Sequence, residues 1–222
     1  MPRRANSGTV VVIGLGRFGE SVARKLASAG REVMVIDPDP ALIAQVAPAV
    51  TLAAEADGTS LQVLRDLGVE DCGVAVVAIG EDLEASILAT AALADLGVTE
   101  IWARAVTDAH GRILERVGAH WIVKPEQEMG ERVGQLIYTG IEEYVSFPNG
   151  YALALMDPPK WAIGLTVDEV GISGRHGVAV IGVQQGDGEV EFPRAAHRIR
   201  VTERIAIAGP TAAVDAFPIA DS

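Results

Sequence analysis

A doubly wound, parallel α/β sheet followed by a second, small α+β domain is the architecture this 222-residue sequence predicts, on three observations. An apolar run at Val10-Val11-Val12-Ile13 passes directly into Gly14-Leu15-Gly16-Arg17-Phe18-Gly19, a G-x-G-x-x-G turn opening a helical pattern. Short β-branched runs then alternate with helical stretches over the first two thirds of the chain. Beyond Gly140 the alternation stops and turn-forming residues take over.

The predicted strands are Thr9–Ile13, Glu32–Ile36, Val50–Ala53, Val74–Ala78, Glu100–Ala103 and His120–Val123. Each is too continuously apolar for a one-sided sheet, so they read as buried parallel strands. Helices are expected at Phe18–Ala29, Pro40–Val46, Ser60–Leu67, Leu83–Leu96 and Ala109–Val117, with Gly30, Gly68, Gly97 and Gly118 at their ends. In such a fold, a Rossmann-like one, the ligand lies at the carboxyl ends of the strands near the first and fourth. A last helix, Pro125–Tyr138, starts just after Lys124 and tolerates Pro125 in its first turn. The stretch from Thr139 to Pro159 is punctuated by Gly140, Pro148, Asn149, Gly150, Pro158 and Pro159 around one strand candidate, Tyr151–Met156. The domain boundary is therefore placed near Gly140, giving residues 1–140 and 141–222. In the second domain, Val178–Val183 and Arg204–Ala208 read as strands, Gln184–Glu189 as a turn and Thr211–Phe217 as a closing helix.

Composition narrows the function classes. Eighteen Lys and Arg stand against 30 Asp and Glu, a formal charge of −12 that repels nucleic acid and anionic lipid. Cys72 is the only cysteine, so no intrachain disulfide forms; it reads as a small buried hydrophobe, and a reducing cytosol fits. Met1–Gly8 carries Arg3 and Arg4 but no apolar run and does not read as a signal peptide. Glu84 and Asp95 bracket the apolar stretch Ala85–Ala94, far short of the ~20 residues of a membrane span, so no direct membrane insertion is expected.

The glycine motif predicts a phosphate cradle. Gly14 permits the tight turn, Gly16 lets the backbone approach a pyrophosphate, and Gly19 lets helix and strand come close, while the helix N-terminus presents N–H groups to the anion. Asp37 ends the second strand roughly 20 residues on, where a ribose hydroxyl is expected, and an acid there disfavours a 2′-phosphate. Its alternative is a turn, Asp37-Pro38-Asp39-Pro40, whose carboxylate caps the next helix. Arg17 in the first helical turn opposes the helix dipole unless a phosphate sits there; a solvated arginine is the alternative. Phe18 reads more as a core anchor than as a ligand contact. Asp57-Gly58-Thr59 follows the third strand, with Thr59 and Gln62 at capping-box spacing. Ala78-Ile79-Gly80 and Arg104 end the fourth and fifth strands, where Arg104 brings a second cation to the ligand edge or is an ordinary surface arginine. Four scattered histidines show no zinc spacing, and no acid/base pair of a dehydrogenase is evident, so a non-enzyme is expected.

Taken with Ile101-Trp102-Ala103-Arg104-Ala105 and Lys124-Pro125-Glu126-Gln127-Glu128-Met129-Gly130, these motifs resemble the RCK (regulator of K⁺ conductance) family. Its members of this type are cytosolic regulatory subunits of bacterial Ktr/Trk potassium uptake systems. The resemblance runs from Thr9 to Phe217, and a single copy is similar to the Ktr branch. It implies homodimers assembled into an octameric ring, docked beneath a membrane-embedded transporter subunit at the inner face of the cell membrane. It implies ATP and ADP as ligands favouring different ring shapes, with NAD or NADH as the alternative. By resemblance Arg17 reads the terminal phosphate, Asp37 the ribose, and Glu126 a cation such as Mg²⁺ between the phosphates of paired subunits. An acid just inside a helix start is the plain alternative for Glu126. The binding set is thus Gly14, Gly16, Arg17, Phe18, Gly19, Asp37, Asp57, Ala78, Ile79, Gly80, Arg104 and Glu126. In the second domain the resemblance suggests c-di-AMP, with Arg175 and His176 as candidates. Two departures stand out: Ala56-Asp57-Gly58-Thr59 replaces Gly-Asp-Ala-Thr, and Thr202-Glu203 replaces Gly-Asp.

Overall fold

The computed structural model describes residues 8–139, 141–147, 149–170, 177–186 and 188–217. The chain divides into two compact units, Met1–Gln127 and Glu128–Ser222. Gly140, where the sequence places the boundary, lies outside the described residues.

In the first unit strands and helices alternate: β1 (Val10–Ile13), α1 (Arg17–Ser28), β2 (Val33–Asp37), α2 (Pro40–Val46), β3 (Leu52–Glu55), α3 (Leu61–Asp66), β4 (Val74–Val77), α4 (Leu83–Asp95), β5 (Glu100–Arg104), α5 (Asp108–Arg116) and β6 (Trp121–Val123). The strands pair in the order β3-β2-β1-β4-β5-β6, all parallel, so chain direction across the sheet reverses between β1 and β4. That is the crevice where such sheets take ligands. Period-two alternation along β1 explains its double burial. Val11 and Ile13 join one core with Leu64, Leu93, Ile101 and Leu114, while Val10 and Val12 join the other with Ala23, Val46 and Val76. Each Val, Leu or Ile among them contributes about 1.5–3 kcal/mol when fully buried. The glycines predicted at helix ends, Gly30, Gly68, Gly97 and Gly118, all have left-handed backbones. Cys72 is buried, and burial beside Asp71 and Glu70 raises its thiol pKa, as for an inert core residue.

Two strands depart from the expectation of uniform burial. β3 and β6 are the sheet edges, only partly covered. β3 also begins at Leu52, two residues later than predicted, because Ala47–Ala49 forms a 3₁₀ turn before Thr51 bonds to Val33 and registers the strand. At the other edge Trp121 is half exposed and stacks on Trp102 with ring centroids 5.3 Å apart. The predicted Thr59–Gln62 capping box does not form. Ser60 caps α3 by accepting from Val63 N, Thr59 serves Asp57, and Gln62 donates to Asp66.

A single helix, α6 (Pro125–Thr139), carries the chain from the first unit into the second. There β7 (Glu143–Phe147), β8 (Tyr151–Met156), α7 (Val167–Val170), β9 (Ala179–Gln185), β10 (Val190–Glu191), β11 (Glu203–Pro210) and α8 (Thr211–Ala216) follow. Its antiparallel sheet has the order β10-β9-β11-β8-β7. The predicted strands at Tyr151, Val178 and Arg204 are present with small boundary shifts, but β7 lay hidden in what reads as a linker. Asn149 and Gly150 lie in the turn of a β7–β8 hairpin, with Gly150 at φ +79 and its N–H donating to Phe147 O. Pro148 itself, and Asp187 of the predicted Gly186–Gly188 turn, lie outside the described residues. Phe217, Ile205, Ile207 and Val214 centre the core of this unit, where Trp161 meets Phe217 edge to face at 4.9 Å.

Candidate functional site

Elementary sterics make the β1–α1 loop what it is. Gly14 has φ +92, and a Cβ there would lie 3.0 Å from the Ile79 side chain and 3.1 Å from Ile79 N. At Gly19 a Cβ would fall 1.9 Å from Gly14 O, so glycine alone lets α1 start this close to β1 and β4. Gly16 is different. Its φ of −58 and ψ of 175 suit any residue, and a Cβ would meet nothing within 4 Å. Neither φ nor packing requires glycine there; glycine is a favoured N-cap residue, and the open space lets an anion approach the backbone closely. As the N-cap of α1, Gly16 offers no side-chain oxygen, so the first N–H groups of the helix have no side-chain cap. Gly16→Val is expected to cost about 1 kcal/mol of stability, the loss of a favoured N-cap residue, while weakening phosphate-ligand binding at least tenfold; thermal unfolding and calorimetry on one preparation check both.

Asp37 is 7% exposed and does more than the sequence reading assigns it. Its Oδ2 accepts from Leu15 N at 2.6 Å and its Oδ1 from Asp39 N at 2.8 Å, tying the glycine loop to the end of β2. One lone pair on each oxygen remains for a ribose hydroxyl. Capping of α2, the alternative considered for Asp37, falls instead to Asp39, whose side chain accepts from Ala41 N at 2.8 Å.

Asp57 is exposed after β3, and its Oδ1 accepts from both Thr59 N and Thr59 Oγ1. The Thr59 hydroxyl and backbone N–H hold its carboxyl below the usual carboxylate range. Gly58 is buried over the end of β1, where a Cβ would lie 2.3 Å from Ile13 Cγ2. Past β4, Ala78 is buried and its N–H donates to Ile13 O at 2.8 Å, while Ile79 lies against Gly14. Gly80 lies under the Arg104 guanidinium; a Cβ there would sit 2.3 Å from Nη1. Arg104 Nη2 donates to Glu126 Oε1 at 2.5 Å.

Contacts thus join most of the predicted set into one chain along the carboxyl edge: Asp37 to Leu15, Gly14 to Ile79, Gly19 to Ala78, Gly80 to Arg104, and Arg104 to Glu126. Arg17 is exposed at the first position of α1. Phe18 is half buried against the core on the α1 face, in line with a core anchor. Glu126 lies in the first turn of α6, and among the described residues no cluster of three or more His, Cys, Asp or Glu could hold a metal by itself. A cation at Glu126 would need oxygens from a ligand. Uncapped helix N–H groups, a backbone-held loop and two arginines at one strand edge suit an anion carrying phosphate oxygens.

In the second unit a cavity of about 570 Å³ is lined by Gln185, Phe192, Arg194, His197 and Glu203, among others. Of this group the sequence marks only Glu203, as a departure from the family pattern. Arg175 and His176, its candidates here, lie outside the described residues.

The TrkA-N domain family model matches residues 10–125, spanning β1 to the start of α6. The "Ktr system potassium uptake protein C" of Bacillus subtilis is 30% identical over 207 residues, covering 93% of this chain and 94% of that protein. The "Ktr system potassium uptake protein A" of Vibrio alginolyticus is 30% identical over 200 residues, covering 90% and 91%. Among solved structures, the "GsuK channel bound to NAD" superposes with a TM-score of 0.67 at 19% identity, covering 97% of this chain and 40% of that one. The chain thus spans less than half of that channel, and the likeness concerns fold. With its parallel sheet, glycine loop and near full-length similarity to the Ktr proteins, this chain belongs to the TrkA-N domain family.

Proposed function

We propose that this chain is a cytoplasmic, nucleotide-sensing regulatory subunit of a potassium transporter, gating it by switching between ATP- and ADP-bound conformations. The observation that carries the ligand class is Gly16, a glycine facing open space at the head of α1, where no side chain caps the first N–H groups and an anion can approach the backbone. The transport role comes from the similarity to the Ktr potassium uptake proteins. Among the described residues no helix is long and apolar enough to cross a membrane, so contact with the bilayer runs through a membrane-embedded partner. Apolar side chains exposed in the single chain, Leu83 and Leu88 on α4, Ile113 on α5, and Met129, Val133 and Ile137 along one face of α6, support assembly into homodimers and an octameric ring. Light scattering of the purified chain reads that mass.

The mechanism is differential affinity. A ligand shifts a conformational equilibrium only by the difference in its binding free energy to the two forms, ~1.4 kcal/mol for each factor of ten. In this reading Arg17 contacts the terminal phosphate, Asp37 the ribose, and Glu126 a Mg²⁺-like cation shared with the phosphates. Arg17→Ala is then expected to weaken ATP about tenfold more than ADP in calorimetry. An equal loss for both would move Arg17 off the terminal phosphate.

NAD(H) is the alternative ligand, since the glycines and Asp37 suit any adenosine nucleotide. Identification of the nucleotide released from the purified protein, followed by competition with ATP, ADP, NAD⁺ and NADH, decides between them. The chain acts by binding, not by catalysis; steady nicotinamide turnover with a candidate hydroxy or keto substrate would reverse that reading. For the second unit c-di-AMP remains the proposed ligand, and a heat-silent titration of the full chain removes it.

A further inference from the structure

Arg104 is held where an anion binder is needed, but its fork is only half used. The side chain is 19% exposed and packs over Gly80. Its Nη2 donates to Glu126 Oε1, while its Nε is buried without a hydrogen-bond partner among the described residues. Nε and Nη2 lie on one edge of the planar guanidinium, the edge that takes two oxygens of a single anion. Glu126, 65% exposed, supplies one oxygen to that edge. A pair with one solvated member is worth only ~0–1 kcal/mol, whereas a phosphate brings more charge and fills both donors. Glu126 is also the second residue of α6, the helix that continues into the second unit.

We propose that Glu126 and a nucleotide phosphate are alternative partners of Arg104, so that phosphate binding displaces Glu126 from the guanidinium and frees a carboxylate in the first turn of α6. The exchange rests on the reading of this strand edge as a nucleotide site. It makes Glu126 an internal competitor for the phosphate before it can serve any cation. It also ties phosphate occupancy to the helix joining the two units, because the ion pair displaced runs from β5 to the first turn of α6.

The test is calorimetry of the full chain with ATP in excess EDTA, which silences any part Glu126 plays through a divalent cation. Glu126→Gln is expected to bind about fivefold tighter than wild type, the factor equal to ~1 kcal/mol. Arg104→Gln is expected to bind more weakly, and adding Glu126→Gln to it should change nothing further. Unchanged or weaker binding by Glu126→Gln overturns the exchange. So does an equal gain in the Arg104→Gln background, which would mark a general loss of negative charge. If wild-type protein takes up no nucleotide, the site reading falls and the exchange with it; wild-type binding without the gain removes the exchange alone. Glu126 is largely exposed, and thermal unfolding of each variant confirms that the comparison is between folded proteins.

Discussion

Gly19→Ala is expected to destabilise the first unit by about 3 kcal/mol and to abolish nucleotide binding with it. The added Cβ would sit 1.9 Å from Gly14 O, 3.0 Å from Gly14 C and 2.9 Å from Ala78 Cβ. Overpacking a core usually costs about 1–3 kcal/mol, and the upper end applies when the obstacle is backbone that cannot rotate aside. Both obstacles are held. Gly14 N donates to Ile36 O at 2.9 Å, and Ala78 N donates to Ile13 O at 2.8 Å. The helix must therefore retreat from β1 and β4, loosening the contacts of Leu15 and Ala23 in the core beneath it. Urea unfolding read by near-ultraviolet circular dichroism, together with calorimetric titration of ATP, measures both effects. A variant within about 1 kcal/mol of wild type that still binds would show that the loop does not need this helix–strand contact.

The two motif positions at which this chain departs from the family pattern have physical explanations in its own packing. The glycine after β3 stands at position 58 because Gly58 covers the end of β1, where the β-branched Ile13, 2% exposed, leaves no room for a Cβ. Asp57 keeps its place in the turn through Thr59 and needs no glycine before it. At the second departure Glu203 fills the position with a longer side chain that reaches His197 and Arg200 N, organising the turn before β11.

What was legible in the sequence follows from how local each signal is. β1, the glycine turn and α1 lie within one 20-residue window, and their spacing alone fixes the loop. β2 and β4 were legible because strands buried on both faces must be continuously apolar. Burial of β3 and β6 was not, because whether a strand is central or an edge depends on pairing order, which no local run of residues encodes. β7 was missed because Glu143-Tyr144-Val145-Ser146-Phe147 becomes a strand by pairing with β8, and the turn residues beside it read equally well as a linker. The bonds from Asp37 to Leu15 and from Arg104 to Glu126 join residues 22 apart in each case, and partners at that distance leave no mark in composition or period. The burial of Glu203 was hidden for the same reason: a carboxylate in a strand looks solvated until its partners are brought to it.

Glu203→Ala is expected to cost about 2 kcal/mol and to unfold the second unit first. Glu203 is 1% exposed, with Oε2 accepting from Arg200 N at 3.1 Å and facing His197 Nε2 at 3.0 Å, while Oε1 accepts from Gln185 Nε2 at 3.5 Å. Alanine takes the acceptor from those donors and leaves a hole where the buried side chain stood, beside a cavity, and the turn from Arg194 to Arg200 loses its anchor. Burial alone would raise the Glu203 pKa, but the hydrogen bonds from His197, Arg200 N and Gln185 outweigh it and hold the carboxyl below its ordinary value of 4.5. Because the folded pKa lies below the unfolded one, the ionised carboxylate contributes stability above pH ~4.5 and loses it as pH falls through the folded pKa. Glu203→Gln keeps an acceptor for Arg200 N and, with Gln185 turned to present its oxygen, costs only about 1 kcal/mol at neutral pH. It cannot titrate, so its stability should fall less steeply than wild type below pH ~5, and the two curves should converge in acid. Other carboxylates held low, such as Asp57 and Asp108, titrate in both proteins and cancel in the difference. Parallel stability curves between pH 3 and 7 would mean that the carboxyl titrates alike in the folded and unfolded chain, so that shape rather than charge holds this turn; wild type gaining on Glu203→Gln as pH falls would mean that burial keeps the carboxyl protonated.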